Sequence, residues 1–526
     1  MTSQPLPQRP NLEQLRKQAK SLLRAAQAQE PLALERFRSL PQPGKSATSM
    51  SLALHDAQSV IAREHGFKSW NELRDHIEEQ SLSFAAAVEE FLHCATGSAR
   101  PRALRLLALH PAIAHANLHT ELVLGEAESV AARLRKHSQA ATEAGGVQGW
   151  PPLLYVCHTC LHHDAPERAA GLVAIARELL AQGADPNAEY HFQWHNELPR
   201  TALWGALCAT SHLPLAETLL AAGANPTDGV SMHINAGIGN LAALELLQRF
   251  GANVDGIAAG VPPLCYILGW ATTVTERASG VRWLLEHGAD ANLAWGELGD
   301  APLHMAAQRW DVPMTELLVR YGADIHRRRK DGRTSHTLAE MHGNRDVAAW
   351  LLAHGARDEL SVLEQFVSAC TRADRARADS MLQAQPALRR GLRPEHHLML
   401  HVLAERGDAN ALDTMLACGF DANASSSDGV TALHQAAMKG RADAVRVLLL
   451  HGASPNALDG MFSATPLMWA AEGWPHNSDP RADHLGAARL LINAGSPLEW
   501  RAPRNAPDPE GGQERLIELC RAAGAA

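Results

Sequence analysis

One seven-residue segment, Cys-His-Thr-Cys-Leu-His-His, contains the side chains best suited to bind a metal. Cys157 and Cys160 have the Cys-x2-Cys spacing that can supply two thiolates to zinc, and His158, His162 and His163 could complete the ligand set. No second Cys pair follows along the chain, and the repeat pattern described below places Cys157 at a buried position of a helix. A structural role is therefore favoured for this segment, and no metal or cofactor is predicted.

Two further histidines keep a catalytic alternative open. His191 and His195 lie in a loop that follows this segment, and they could approach His158. Imidazole groups act as zinc ligands and general bases, so the three histidines define a groove for a metal- or small-molecule-dependent enzyme. This enzyme is the alternative to the binding function derived below.

The other motifs associated with catalysis are incomplete or missing. His397 and His401 have the spacing of the His-Glu-x-x-His zinc motif, but Leu398 occupies the position of the glutamate. No nucleophile-elbow, phosphate-loop, dinucleotide-binding or kinase signature occurs in a strand–turn–helix context. The sequence therefore offers no residue for a nucleophile or a general base, and it favours a protein that is not an enzyme.

Composition and charge narrow the class of protein. Of the 526 residues, 46% are hydrophobic, which excludes wholesale disorder. The net charge of −9 disfavours a nucleic-acid partner, because such proteins usually carry a basic surface. No apolar run reaches the length of a membrane span, no secretory signal is visible, and eight cysteines are scattered over the chain. These features predict a reduced, cytoplasmic protein without a membrane partner.

A repeated helix ending dominates the rest of the sequence. A Leu-rich segment followed by Gly recurs nine times, and in seven copies Ala and a polar residue come next. Three of the spacings between these glycines are 33 or 34 residues. Glycine adopts the left-handed conformation that ends a helix, so each copy predicts a helix terminus. The glycines are Gly183, Gly223, Gly251, Gly288, Gly322, Gly355, Gly419, Gly452 and Gly495.

A second motif lies in register between these endings. Residues 300–307, 428–437 and 464–471 resemble the Thr-Pro-Leu-His-x-Ala signature that begins the first helix of an ankyrin repeat. More divergent copies occupy residues 149–157, 200–206, 231–236, 261–267 and 331–339. The resemblance implies that His304 and His434 connect the turn to the helix, and that a protein partner binds the concave face.

The N-terminal region has another pattern. Leu12, Leu15, Ala19, Leu22 and Leu23 share one face of a predicted helix, and Ser-x-x-Glu at 69–72 predicts the start of another. Its IAREHGFKSW sequence resembles a small helical module that precedes ankyrin repeats in bacterial proteins. The resemblance implies a bacterial ankyrin-repeat protein.

Together these patterns predict an all-α fold: an ankyrin-repeat solenoid of helix-turn-helix units with short hairpin fingers, preceded by a small helical module. The predicted segments are the module at 1–80, degenerate repeats at 81–145, repeats at 146–358, and a degenerate repeat followed by C-terminal repeats at 359–526. The degenerate repeat near 361–398 is expected to form a flexible joint.

The predicted function is that of a scaffold or adaptor that binds a protein partner, and the identity of that partner and the oligomeric state stay open. The repeat register assigns exposed finger tips and first-helix ends to the binding face, where Trp, Arg and Met commonly form hot spots. The assigned residues are Trp150, His158, Arg200, Trp270, Gln308, Arg309, Asp428, Met438, Lys439, Phe462, Glu472 and Trp474.

Overall fold

A computed structural model provides the structure of the chain. It describes residues 6–7, 10–37, 54–97, 99–163, 165–191, 199–257, 260–270, 275–460, 462–474 and 479–498, together with 516, 519, 520 and 523. The chain divides into two compact units. Unit 1 comprises residues 1–190 with 199–225, and unit 2 comprises 226–526 with 191–198.

Unit 1 begins with four helices that enclose a core of their own. Leu15, Ala19 and Leu22 are buried in it and Leu12 and Leu23 pack at its edge, as the periodicity predicts. The last of the four starts at Trp70, where the backbone amide of Glu72 donates to Oγ of Ser69 at 3.2 Å. The helices are α1 (Leu12–Gln27), α2 (Pro31–Phe37), α3 (Leu54–Glu64) and α4 (Trp70–Ser81).

The remainder of unit 1 consists of paired helices. They are α5 (Phe84–Thr96), α6 (Arg100–Leu109), α7 (Leu118–Leu124), α8 (Ala127–Lys136), α9 (Pro152–His158), α10 (Pro166–Ala181), α11 (Ala202–Trp204) and α12 (Leu213–Ala221). A π-helical turn, Gly205–Ala209, continues α11. Two short strands, β1 (Glu189–His191) and β2 (Pro199–Thr201), pair in a two-stranded sheet.

Unit 2 repeats the same pairing. Its first helices are α13 (Ser231–Gly237), α14 (Leu241–Arg249), α15 (Pro263–Trp270), α16 (Thr275–Glu286), α17 (Pro302–Arg309), α18 (Val312–Arg320), α19 (Ser335–Met341) and α20 (Arg345–Ala353). They are followed by α21 (Val362–Thr371), α22 (Arg375–Ala384), α23 (Pro394–His397), α24 (Met399–Arg406), α25 (Ala409–Ala417), α26 (Ala432–Met438), α27 (Ala442–Leu450), α28 (Pro466–Gly473) and α29 (His484–Asn493).

The histidines of the Thr-Pro-Leu-His motif lie in the first turn of the first helix of a repeat, as the signature implies. His434 accepts from the backbone amide of Thr431 at 3.1 Å, and its Nε2 lies 3.1 Å from the carbonyl oxygen of Ala464 in the next repeat. His304 makes the equivalent pair of contacts. Each ring therefore caps its own helix and binds the neighbouring turn, which fixes the stacking of successive repeats.

All nine predicted glycines end a helix. Their φ angles lie between 84° and 104°, in the region that side chains rarely adopt. The repeats at 82–145 and 361–398, which lack this glycine, end instead in short 3₁₀ helices: Pro111–His115, Ser138–Ala141 and Pro386–Gly391. A 3₁₀ turn satisfies the last carbonyl groups by tightening the chain, so these repeats close without a glycine.

The prediction of a flexible joint near 361–398 is wrong. Within unit 2, α21 packs against α19 on one side and against α25 on the other. Phe366 and Cys370 of α21 belong to one continuous apolar core that runs from Met341 to Ala523. Because burial of these side chains connects the repeats on both sides, the segment is an integral part of the stack.

Candidate functional site

The first helices of the repeats in unit 2 are buried except at their C-terminal ends. In α17, residues 302–307 are buried and the last two, Gln308 and Arg309, remain accessible. In α26, Met438 and the following Lys439 are accessible in the same way. We call these helix ends the helix-end face. It comprises Gln308, Arg309, His342, Glu405, Arg406, Met438, Lys439 and Glu472.

Arg406, the last residue of α24, bridges two other helix ends on this face. Its Nη2 donates to the carbonyl oxygens of Gln308 at 3.2 Å and of Arg309 at 3.5 Å, and its Nη1 donates to that of His342 at 3.4 Å. These oxygens are the unsatisfied acceptors at the ends of α17 and α19, where a cation also suits the helix dipole. Arg406 is therefore positioned by backbone groups.

Arg309 and Arg406 lack the carboxylate partners that neighbouring arginines have. Nearby, Arg329 is paired with Asp300 and Asp331 at 3.0 and 2.5 Å. Over the part of the chain that the structure describes, no carboxylate lies within ion-pair distance of Arg309 or Arg406. The carboxylates of Glu405 and Asp408 act on Arg406 only at longer range, without a direct ion pair.

The same surroundings affect two titratable groups. Burial lowers the pKa of Arg406, the charge of Glu405 partly opposes this, and the charge of Arg309 lowers the pKa further. Burial likewise lowers the pKa of His342 to about 3, with Arg309 and Arg406 contributing in the same direction. Nδ1 of His342 is buried and has no hydrogen-bond partner among the described residues. His342 is therefore neutral at physiological pH, and the charge of this site resides on the arginines.

Lys439 extends the basic surface toward the next repeats, although its Nζ lies 3.7 Å from a carboxylate oxygen of Glu405. Asp428 and Phe462 occupy exposed finger positions, and Phe462 is 42% exposed. Trp474, by contrast, packs against the apolar core. The side chain of Trp270 lies outside the described residues.

In unit 1 the structure brings three of the predicted residues together in an aromatic cluster. Trp150 stacks on Tyr190 with 4.3 Å between ring centroids, and His158 lies 5.3 Å from Trp150. Arg200 is placed over the ring of Trp204, 4.4 Å from its centroid, in a cation–π contact. The hairpin of β1 and β2 supplies Tyr190 and Arg200, so the cluster joins this finger to α9 and α11.

The prediction that His158 contacts a partner is wrong, because this side chain is only 3% exposed. The rings of Trp150, Tyr190 and Trp204 surround it. Its Nδ1 lies 2.9 Å from the carbonyl oxygen of Leu154, whereas Nε2 is buried without a partner in the described structure. Burial lowers the pKa of His158 to about 4, so the ring is a neutral element of the packing.

The Cys-x2-Cys segment is used for packing. Cys157 is fully buried and burial raises the pKa of its thiol. Sγ of Cys160 donates to the carbonyl oxygen of Cys94 at 3.7 Å, and both ring nitrogens of His162 lie near carbonyl oxygens. Among the described residues, no three His, Cys, Asp or Glu side chains are placed to hold a metal ion. His195 lies outside the described residues.

The histidines that resemble a zinc motif are also tied to backbone groups. Nδ1 of His397 accepts from the backbone amide of Asp421 at 3.1 Å. Nε2 of His401 lies 3.1 Å from the carbonyl oxygen of Ala424. Both rings contact the backbone at the start of the next repeat, so packing accounts for these two histidines.

Arg406 and His342 were not assigned to the binding face from the sequence. Both stand five positions after the residue at the histidine position of the Thr-Pro-Leu-His motif. Arg309 and Lys439 stand at this same distance from the histidine in their own repeats. The same register could therefore have identified them, had the divergent repeats been aligned to it.

The comparisons with known proteins identify the repeats. Residues 268–361 and 400–498 match the family model of ankyrin repeats (3 copies), about a third of the chain. No described helix is long and apolar enough to cross a membrane.

Three known proteins show what the chain is similar to. It is 42% identical over 78 residues to palmitoyltransferase Hip14 of Drosophila melanogaster, which covers 15% of this chain and 11% of that protein. It is 32% identical over 134 residues to human ankyrin repeat and SOCS box protein 11, covering 26% of this chain and 38% of that protein. The crystal structure of the human ASB11 ankyrin repeat domain covers 46% of this chain and 99% of that domain, at 24% identity and a TM-score of 0.34.

The chain spans a quarter or less of the first relatives it matches, so the activities in their names describe those proteins. The matched ranges contain the clearest copies of both sequence motifs, with their histidine caps and glycine ends in place. The chain is therefore a mostly helical protein that contains ankyrin repeats at residues 268–361 and 400–498, and such repeats generally serve as scaffolds for protein interactions.

Proposed function

We propose that the chain binds a protein partner through the helix-end face and the adjoining fingers of unit 2. The proposed contacts on this face include Gln308, Arg309, Met438, Lys439 and Glu472, and the exposed finger positions Asp428 and Phe462 adjoin it. By resemblance to other ankyrin-repeat proteins, this is the concave side of the repeats.

One observation carries the proposal. Along α17 and α26, accessible side chains are concentrated at the C-terminal end, whereas the rest of each helix is almost completely buried. The accessible set includes Arg309, Met438 and, on a finger, Phe462. Arginine, methionine and aromatic side chains are enriched in protein interfaces, so their accessibility at these positions favours a contact surface.

Site-specific photocrosslinking tests this assignment. A benzoylphenylalanine residue at position 438 or 462, in the full chain expressed in its native host, should form one defined adduct with a partner protein. The matched control is the same residue at Leu450, which is 78% exposed but lies at the end of the second helix of its repeat.

An adduct of equal yield at position 450 would show that crosslinking reflects exposure alone. Absence of any adduct from both 438 and 462, with a reproducible adduct from 450, would place the binding surface on the second helices and contradict the proposal.

A further inference from the structure

The helix-end face contains two positive charges that make no direct ion pair with a carboxylate among the described residues. Arg406 is fixed by its bonds to the carbonyl oxygens of Gln308 and His342, while Arg309 makes no ion pair or hydrogen bond through its side chain among the described residues. The carbonyl groups that hold Arg406 carry only partial charge. They orient the guanidinium of Arg406. The N–H donors of Arg309 are not used by these bonds and can bind a carboxylate.

We propose that Arg309 and Arg406 bind the side-chain carboxylate of an acidic residue, Asp or Glu, in a segment of the partner protein. This inference rests on the proposed function and specifies the chemistry of the partner at one point of the helix-end face. Arginine presents a planar set of N–H donors that matches the two oxygens of a carboxylate, which gives the contact geometric selectivity.

Three further observations favour an acidic segment. The pair forms a local positive site on a chain whose net charge is −9, so it stands out electrostatically from its surroundings. Burial and the charge of Arg309 both lower the pKa of Arg406, and an added anion would offset the repulsion between the two arginines. Lys439 lies on the same face and would strengthen the attraction for a second acidic residue along the bound segment.

A nucleic acid fits this site less well than a peptide does. Binding to a phosphate backbone relies on an extended row of cations, because each phosphate contributes through counter-ion release. Here Glu405 lies 3.7 Å from Lys439 and interrupts such a row directly beside Arg406. The site is therefore suited to one or two carboxylates in a short segment.

Fluorescence anisotropy with a labelled deca-glutamate peptide and the full chain measures the interaction. We expect binding that weakens as salt is raised, since the contact is electrostatic and partly exposed. Arg309→Glu should weaken it about tenfold, the equivalent of one lost charge-assisted contact. Because Arg309 holds no part of the fold, this variant should keep the wild-type circular dichroism and melting curve. Arg406→Gln provides a second variant at the same site.

The matched control is Arg320→Glu, which makes the same change of charge on the second helix α18, where the exposed Arg320 pairs with Glu316. It should leave the affinity for deca-glutamate within about twofold of the wild type, the residual effect of a screened distant charge. Ten-residue oligothymidylate should bind more weakly than deca-glutamate.

Three results would overturn the inference: no binding of deca-glutamate at low salt, equal losses for Arg309→Glu and Arg320→Glu, or tighter binding of oligothymidylate. If deca-glutamate fails to bind while crosslinking at position 438 succeeds, the acidic chemistry is wrong and the protein-binding function stands. If deca-glutamate binds but crosslinking contradicts the face, the anion site exists and its assignment to a protein partner is wrong.

Discussion

The guanidinium of Arg406 lies 3.5 Å from the carbonyl oxygen of Arg309, although 97 positions separate the two residues. The contact brings the end of α24 against the end of α17 and places two cations beside each other. Arg406 has a structural role because it closes two helix ends. It has an electrostatic role because neither arginine pairs directly with a carboxylate among the described residues.

The two arginines should therefore respond differently to substitution. Arg406→Met removes the bonds to the carbonyl oxygens of Gln308 and His342, and we expect the free energy of unfolding to fall by about 1–2 kcal/mol. Arg309→Gln should change it by less than about 0.5 kcal/mol, because this side chain makes no internal contact of that kind. Urea denaturation followed by circular dichroism compares them, and an equal loss in both variants would contradict the assignment.

The buried ring of His158 should make stability depend on pH. Its folded-state pKa of about 4 lies below the ordinary value of about 6.5, so the unfolded chain binds the proton more readily between those values. The contribution of this ring to the free energy of unfolding is fully present above pH 6.5. It decreases as the pH falls toward 4, and the total loss is roughly 3 kcal/mol at most.

Substitution separates this effect from that of other groups. His158→Gln should flatten the dependence of the melting temperature on pH over the interval from 6.5 to 4, relative to the wild type. The control is His163→Gln, because His163 is exposed and should leave the dependence as it is. A wild-type slope in the His158→Gln variant would show that this ring is not buried in its neutral form.

Gly205 and His158 should be energetically coupled. A Cβ atom at Gly205 would lie 2.5 Å from the imidazole carbon Cε1 of His158, a distance that forces the ring to move. Gly205→Ala should therefore lower the free energy of unfolding by about 1–3 kcal/mol, as overpacking of a core does. In a double-mutant cycle measured by denaturation, the same change should cost much less in the presence of His158→Ala. Additive losses would indicate that the cost comes from the π-helical backbone instead.

The histidine caps should contribute more to the free energy of unfolding than their accessible neighbours do. His434→Ala leaves the Thr431 amide and the Ala464 carbonyl group without their shared partner, and we expect a loss of about 1–3 kcal/mol. The adjacent Gln435 is more accessible, so Gln435→Ala should change stability by less than about 0.5 kcal/mol. Chemical denaturation of both variants checks this, and similar losses would argue against the capping role.

The sequence by itself determined the local structure of the repeats. Gly322 and its counterparts end helices because only a residue without a side chain adopts positive φ at no cost, and this requirement is visible in each copy. The positions of His304 and His434 likewise followed from the motif, since capping involves residues three positions apart.

Only the tertiary structure decided that Arg406 bonds to the carbonyl oxygens at two other helix ends of the charged site. The sequence pattern around 361–398 predicted a joint, whereas Phe366 packs into a core shared with the repeats on both sides. With that repeat in place, the end of α24 reaches Gln308, 98 positions earlier in the chain. Burial of His158 was equally invisible, because Tyr190 and Trp204 come from other elements. Contacts of this kind depend on how helices pack over long separations, and no local spacing encodes them.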